Sequence, residues 1–222
     1  MIATLLVFTD GRRECLIKTL SSLNSHLTDK FSYQIMVDDS CDAEYAAWLD
    51  TAYGKVFTII HNAERYGFCK AVDTGWRAVS ADTTHVFHLE DDFEFIADVP
   101  LKKMAAVLDK HPKLMQIVLK RQPWNEQEKV WGDLVHARPE EFTEVTDGVS
   151  TWLEHRLFYS TNPNLLKAKW VRNGMPVVSE CEGKFGLALT NSDPKLCFGF
   201  WGAFSDGPRV HHIGDERIGN GY

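Results

Sequence analysis

The sequence predicts an α/β fold with a largely parallel sheet, and three observations carry that prediction. Short apolar runs alternate with stretches whose apolar residues recur at helical spacing. The runs are continuous rather than alternating apolar and polar, as in strands covered on both faces. Four of them end in polar or acidic residues, at the carboxyl ends where open α/β sheets gather their ligands.

Taken in order, Ile2 to Phe8 is the first such run, ending in the polar turn Thr9-Asp10-Gly11-Arg12-Arg13. Leu16, Leu20, Leu23 and Leu27 follow at helical spacing, which predicts a helix packed back on the sheet. Tyr33 to Val37 reads as a second strand ending in Asp38-Asp39-Ser40, and Asp42 to Ala52 as a short helix. Val56 to Ile60 is a third strand ending in His61-Asn62, and Val72, Trp76 and Val79 mark another helical face. The fourth strand, Val86 to Leu89, runs into three consecutive carboxylates, Glu90, Asp91 and Asp92. Leu101, Met104 and Leu108 predict a further helix and Leu114 to Leu119 a fifth strand. After Lys120 the pattern loosens: 121 to 157 reads as a variable excursion, not a separate domain. Beyond it, Phe158-Tyr159-Ser160 is expected as a strand, Asn162-Pro163 as a helix start and Glu180 to Leu189 as a helix. The aromatic, glycine-rich run Phe198 to Phe204 and then Val210 to Gly214 lead into a polar tail.

The 222 residues suit one domain with a large core. A net charge of -7 argues against a nonspecific grip on nucleic acid or anionic membrane. Five scattered cysteines with no CxxC pair indicate neither a zinc site nor a disulfide framework, and favour a reducing compartment. The start MIATLLVF lacks a basic region and reads as a strand rather than a signal peptide. No apolar run approaches the ~18 residues of a membrane span. A soluble, cytoplasmic protein is the expectation.

Three adjacent acids repel one another unless a cation sits among them. Hard oxygen ligands of this kind suit Mg²⁺ or Mn²⁺, and Mg²⁺ is commonly held by one or two carboxylates plus substrate phosphates. Thr9-Asp10, Asp38-Asp39, Asn62 and Glu90-Asp91-Asp92 all fall at predicted carboxyl ends. Their convergence on one edge points to a metal-held nucleotide diphosphate, against the plainer reading of solvated turns.

These residues resemble the inverting nucleotide-sugar glycosyltransferases of family 2, well over the first ~120 residues and loosely beyond. Val37-Asp38-Asp39-Ser40 is similar to the family's VDDxS strand end, where an aspartate reads base or ribose. Asn62-Ala-Glu-Arg65-Tyr-Gly67-Phe-Cys-Lys70-Ala71-Val-Asp73-Thr-Gly75 resembles its N-x-x-x-x-G-x-x-x-A-x-N-x-G run, with Asp73 in place of Asn. By that likeness Gly67 lets backbone approach the donor, and Arg65 or Lys70 reaches a phosphate. Glu90-Asp91-Asp92 resembles the DxD motif in the EDD form seen in the N-acetylglucosaminyltransferase I family. Asp92 would then contact the metal, with Glu90 and Asp91 helping through water, ribose or sugar. Thr9, Asp10 and Arg12 join the nucleotide-sugar-binding candidates. Ser179-Glu180-Cys181-Glu182-Gly183 matches the family's late acidic motif, making Glu182 the favoured catalytic base and Glu180 the alternative. His212, in the run V-x-H-I-G, is preferred over His211 as a metal or diphosphate contact. Phe200 and Trp201 could face a sugar, though core packing is their default.

The resemblance implies the GT-A fold, a Rossmann-like, largely parallel mixed sheet flanked by helices. It implies a single domain over 1–222, with a nucleotide-sugar half at 1–120 and an acceptor and catalytic half at 121–222. The implied reaction is metal-dependent inverting transfer, with Mn²⁺ or Mg²⁺, from a nucleoside-diphosphate sugar, a UDP-sugar first. The acceptor would be a protein, small molecule or modified nucleic acid. A nucleotidyltransferase would normally show an early G-x-G-T-R loop, which is missing here; a carbohydrate- or metal-binding module without catalysis is the alternative of a different class.

Overall fold

The computed structural model describes residues 1–214; the polar tail that closes the sequence lies outside them. In chain order the elements are β1 (Ala3–Thr9), α1 (Arg13–His26), β2 (Tyr33–Asp38), α2 (Ala43–Tyr53), β3 (Thr58–His61), α3 (Phe68–Ala78) and β4 (His85–Glu90). There follow β5 (Phe93–Phe95), α4 (Leu101–Lys110), β6 (Leu114–Val118), α5 (Glu126–Trp131), α6 (Leu134–Ala137), a 3₁₀ turn (Pro139–Glu141), β7 (Thr143–Thr146) and β8 (Thr151–His155). The chain then forms β9 (Asn164–Lys167), α7 (Ala168–Val171), α8 (Cys181–Ser192), β10 (Cys197–Trp201) and β11 (Val210–His212).

Nine strands form one mixed sheet in the order β3-β2-β1-β4-β9-β6-β10-β8-β7, and β11 pairs with β5 in a two-stranded ribbon. The pairs β3-β2, β2-β1, β1-β4 and β6-β10 are parallel, while β9 runs antiparallel to both β4 and β6. Strands β1 and β6 are buried along their whole length, as their unbroken apolar runs require. One face is covered by α1 and α4 through Leu16, Leu23, Met104 and Leu108; the other by α3 and α8 through Val72, Trp76 and Phe185.

The expected α/β pattern is present through β6, with element ends within about two residues. Two expectations of the second half are corrected. Phe158 to Ser160 is irregular rather than a strand, because this stretch turns its backbone toward the α8 start. Asn162-Pro163 does not start a helix but leads into β9, whose fully buried Leu165 and Leu166 sit between two strands that satisfy its backbone. The excursion after Lys120 returns to the main sheet through β7 and β8.

The absence of a disulfide expected from the cysteine spacing is also overturned. Cys69 at the start of α3 is bonded to Cys181 at the start of α8, Cα to Cα 5.9 Å. The two lie 112 residues apart in sequence, a pairing that spacing alone does not reveal. Among the described residues, no helix is long and apolar enough to cross a membrane.

Candidate active site

The parallel strands bring their polar ends to one edge in register. Thr9 lies opposite Asp38, Asp38 opposite His61, and Phe8 opposite Glu90. The loop residues beyond are stitched together by side chains. Thr9 Oγ1 donates to Asp91 Oδ2 at 2.7 Å and shares a 2.5 Å hydrogen bond with the Tyr45 hydroxyl. Asp38 accepts from the Ser40 amide and meets His61 Nδ1 at 2.8 Å. Burial would lower the His61 pKa, but Asp38 and Asp50 outweigh it and raise it above the ordinary value. Asp39 accepts three bonds, from Asn62 Nδ2 and from the Tyr66 and Gly67 amides, at 2.7, 3.0 and 2.7 Å. It therefore holds the 62–67 loop, whose last residue, Gly67, has φ +81°, a conformation that costs glycine little. Arg65 Nη2 reaches Asp10 Oδ2 at 2.7 Å, and Lys70 pairs with Asp73 at 3.1 Å.

The cation between Asp91 and Asp92 is Arg12. Its guanidinium donates to Asp92 Oδ2 at 2.5 Å and to Asp91 Oδ1, and its Nε lies 3.5 Å from Asp10. Burial pushes Asp91 up to about 6 even so. For Asp92, burial raises the pKa, but His212 and Arg12 outweigh it and bring it below the ordinary value. His212 Nε2 stands 3.2 Å from Asp92 Oδ2, and its ring is wedged between Phe93 and Trp124, centroids at 4.9 and 3.9 Å. The Gln122 amide clamps the His212 backbone from both sides, accepting from its N–H at 2.8 Å and donating to its carbonyl at 2.9 Å.

Among the described residues, no group of three or more His, Cys, Asp or Glu side chains is arranged to hold a metal by itself. Asp92 Oδ1 and His212 Nδ1 are nevertheless buried without hydrogen-bond partners. An unpartnered, buried carboxylate oxygen is costly unless something cationic or donating meets it. A divalent cation held by Asp92 and His212 would have to take its other ligands from elsewhere, such as a diphosphate and water.

Beside this edge lies a cavity of about 370 Å³ whose walls include Gln122, Leu134, Phe158, Ser160, Glu182 and Phe200. Glu182, in the first turn of α8, points its carboxylate at the irregular 158–161 segment. It accepts from the Thr161 amide at 2.5 Å and the Thr161 hydroxyl at 3.2 Å. Burial raises its pKa above the ordinary glutamate value despite those bonds. Glu90 is held well above its ordinary value, by burial first and then by the charges of Asp92 and Glu182. The two glutamates are therefore electrostatic neighbours across the gap between edge and cavity. Glu180 is exposed and sits outside α8 with φ 58°. Val177 and Val178 are 53% and 46% exposed, and Glu182 takes its hydrogen bonds from Thr161 instead. Trp201 is buried in the core, whereas Phe200 reaches the cavity.

The sequence-predicted residues Thr9, Asp10, Arg12, Asp38, Asp39, Asn62, Arg65, Gly67, Glu90, Asp91, Asp92 and His212 all lie on this edge or in its loops. Lys70 faces Asp73, and Glu180 stands apart from the cavity. Sequence reading missed Tyr45, His61, Lys120, Gln122 and Thr161. Lys120 follows the fifth core strand, so the strand-end rule would have found it. Its ammonium donates to the Ala203 carbonyl at 2.7 Å and to the Asp206 carbonyl, tying down the loop after β10. Gln122 and Thr161 carry no such signal.

A mixed sheet of this order has the GT-A fold. The sequence profile of the glycosyl transferase family 2 matches residues 5–172, and the chain belongs to that family. No curated protein matches the sequence. Among solved structures, S. aureus TarS 1–349 is similar with TM-score 0.65 at 15% identity, over 96% of this chain and 60% of that one. GalNAc-T7 with UDP, GalNAc and Mn²⁺ is similar with TM-score 0.68 at 11% identity, over 99% of this chain and 44% of that one. The mannosyltransferase PcManGT from Pyrobaculum calidifontis, in complex with GDP-Man and Mn²⁺, gives 0.62 at 12% identity, over 97% and 58%. The chain thus spans between 44% and 60% of these three structures.

Proposed function

We propose that this domain is a metal-dependent inverting glycosyltransferase that moves a sugar from a nucleoside-diphosphate sugar to an acceptor hydroxyl. The observation that carries the reading is Glu182: a half-buried carboxylate of raised pKa, lining a cavity beside a strand-end edge of acids. In this reading residues 1–120 bind the donor, and 121–222 supply the acceptor side and the base. Asp38, Asp39, Asn62, Thr9 and Asp10 shape the nucleotide pocket, while Arg65 and Lys70 lie nearest to the diphosphate. Glu90-Asp91-Asp92 serves as the DxD element in its EDD form, and Asp92 and His212 hold Mn²⁺ or Mg²⁺. When bound, that cation neutralises charge on the leaving diphosphate. UDP is the first donor nucleotide to test, since the TarS and GalNAc-T7 structures were determined with it.

Glu182 takes the proton of the acceptor hydroxyl as its oxygen forms the new bond to the anomeric carbon. The bond from that carbon to the diphosphate oxygen breaks on the opposite side, and the nucleoside diphosphate departs with the electron pair. A raised pKa makes Glu182 a stronger base near neutral pH than an exposed glutamate. The acceptor, whether protein, small molecule or modified nucleic acid, enters through the cavity. Cytoplasmic residence belongs to this proposal, and the Cys69–Cys181 disulfide is the observation that counts against it.

Glu182→Gln keeps shape and removes basicity. It is expected to cut transfer by roughly 10²-fold or more and leave donor affinity unchanged. The acid limb of the wild-type pH–rate profile should lie above the ordinary glutamate value of 4.5. Normal transfer by Glu182→Gln together with loss in Glu180→Gln would move the base to Glu180. A product of retained anomeric configuration would overturn inversion itself.

A further inference from the structure

We propose that Arg12 is the resident cation of the Asp91–Asp92 pair, which a divalent metal must displace from Asp92 and which then turns to the donor's diphosphate. The inference rests on the metal reading above. Adjacent carboxylates at a buried strand end need a positive charge to coexist. Asp91 and Asp92 are both at most 3% exposed, and the forked guanidinium bridges them. Arg12 and His212 meet the same oxygen of Asp92, Oδ2, at 2.5 and 3.2 Å. A metal held between Asp92 and His212 would sit at Oδ2, the oxygen that faces His212 Nε2, and would compete with Arg12 for it and for the charge of both aspartates. A divalent cation and a guanidinium a few ångströms apart repel strongly even at a surface-like dielectric, which opposes a full embrace of both.

The second observation is the asymmetry of Asp92. Oδ2 is doubly engaged while the buried Oδ1 has no partner, so the carboxylate is only half satisfied by the guanidinium. Arg12 is the more movable member: its side chain is 23% exposed, against 4% for Asp92. Gly214 leaves room for the fork, since a Cβ there would lie 2.8 Å from Arg12 Nη1 and 2.3 Å from Asp92 Oδ2. A diphosphate arriving at this edge offers the guanidinium a bidentate partner and frees Asp92 for the metal. Metal and nucleoside diphosphate should then bind cooperatively, each strengthening the other by the same factor.

The test is direct titration of Mn²⁺ by electron paramagnetic resonance, with and without UDP, and of UDP by calorimetry. Wild type should bind Mn²⁺ weakly alone and more tightly with UDP. Arg12→Gln, which keeps hydrogen bonding and removes the charge, should bind Mn²⁺ alone about tenfold tighter. It should bind UDP in saturating Mn²⁺ about tenfold more weakly, so the coupling shrinks from both ends. Arg12→Lys retains a point charge that cannot bridge both aspartates, and is expected to fall between the two. It decides the matter if Arg12→Gln does not fold. If the variants bind Mn²⁺ alone no tighter than a wild type that does bind Mn²⁺ with UDP, the competition is wrong and the metal site stands. If no form binds Mn²⁺ and UDP affinity is the same in EDTA, both fall.

Discussion

The strand-end edge and the cavity beside it are built on opposite principles. At the edge, most of the polar side chains lie at or just beyond the ends of parallel strands, and they brace one another: Thr9 with Asp91, Asp38 with His61, Asp39 with Asn62, Arg65 with Asp10. In the cavity, the walls come from helices α5 and α6, the irregular 158–162 segment and the first turn of α8. The edge is thus fixed by sheet register and changes little without breaking a strand. The cavity is fixed by loop backbone, as at Thr161, and leaves substrate-sized space. A rigid strand-end edge beside a loop-built cavity lets one sheet keep its edge while the cavity varies.

The largest effect that separates the two regions is expected at Asp92. Asp92→Ala removes the carboxylate shared by Arg12 and His212, and nucleoside diphosphate affinity in Mn²⁺ should fall by roughly 10²-fold. Circular dichroism should change little although melting falls, because Arg12 and His212 lose a buried partner, and the cavity around Glu182 should stay intact. Wild-type affinity that is equal in EDTA and in Mn²⁺, measured by calorimetry, would sink the metal role. Asp92→Ala and Glu182→Gln therefore make a matched pair: the first should strike donor binding, the second the rate.

The same contrast explains what could be read from the sequence. Apolar runs and leucine spacing located β1 through β6, and the strand-end rule then placed Asp38, Asn62 and Glu90 on one edge without any contact being known. It could not show that the acids are neutralised by Arg12, because the Arg12–Asp91 pair spans 79 residues. In the second half the rule has little to act on. Strand β9 is only four residues long and runs against its neighbours, so its short apolar stretch does not declare a type. The 158–161 segment looks strand-like from Phe158 and Tyr159, but its backbone serves Glu182 instead of a ladder. A motif favours Glu182 over Glu180; in the structure they are separated by burial and by the hydrogen bonds Glu182 accepts from Thr161, which no sequence pattern brings near.

The disulfide is the covalent tie between the two regions, joining the helix after Gly67 to the helix that carries Glu182. Cutting it should cost about 2–4 kcal/mol of stability, the usual range for a bond closing a long loop. Cys181→Ser, compared with wild type by chemical denaturation with and without a dithiol, measures that cost. The wild type should lose it on reduction and the variant should show no further loss. The effect on catalysis should fall on kcat more than on donor affinity, since the start of α8 is freed while the edge keeps its side-chain braces. Thiol trapping of unreduced native protein gives the sharper result. If Cys69 and Cys181 are both alkylated without reductant, the tie does not exist and the reducing compartment inferred from the cysteine pattern is restored.

The smallest effect distinguishes the regions by acid. His88 lies on β4 beneath the donor edge, fully buried against Phe8 with ring centroids 4.7 Å apart, and neither nitrogen has a partner. His155 lies on β8 beneath the cavity, stacked on Phe200 at 5.3 Å. Burial pushes His88 down to about 3 and His155 down to about 4. Both are therefore neutral in the folded protein while the unfolded chain takes up protons below the ordinary histidine value of 6.5. The unfolded state then binds more protons than the native state, so stability is full above that value and is lost as pH falls toward the folded pKa. Each histidine should remove about 2 kcal/mol between about pH 7 and pH 5. Urea midpoints at the two pH values should fall accordingly in wild type. In His88→Leu the slope should drop by one histidine's share while the cavity side keeps its own; in His155→Leu the reverse should hold. An unchanged slope in both variants would mean that neither ring resists protonation, and that the acid sensitivity lies in the carboxylates of the edge.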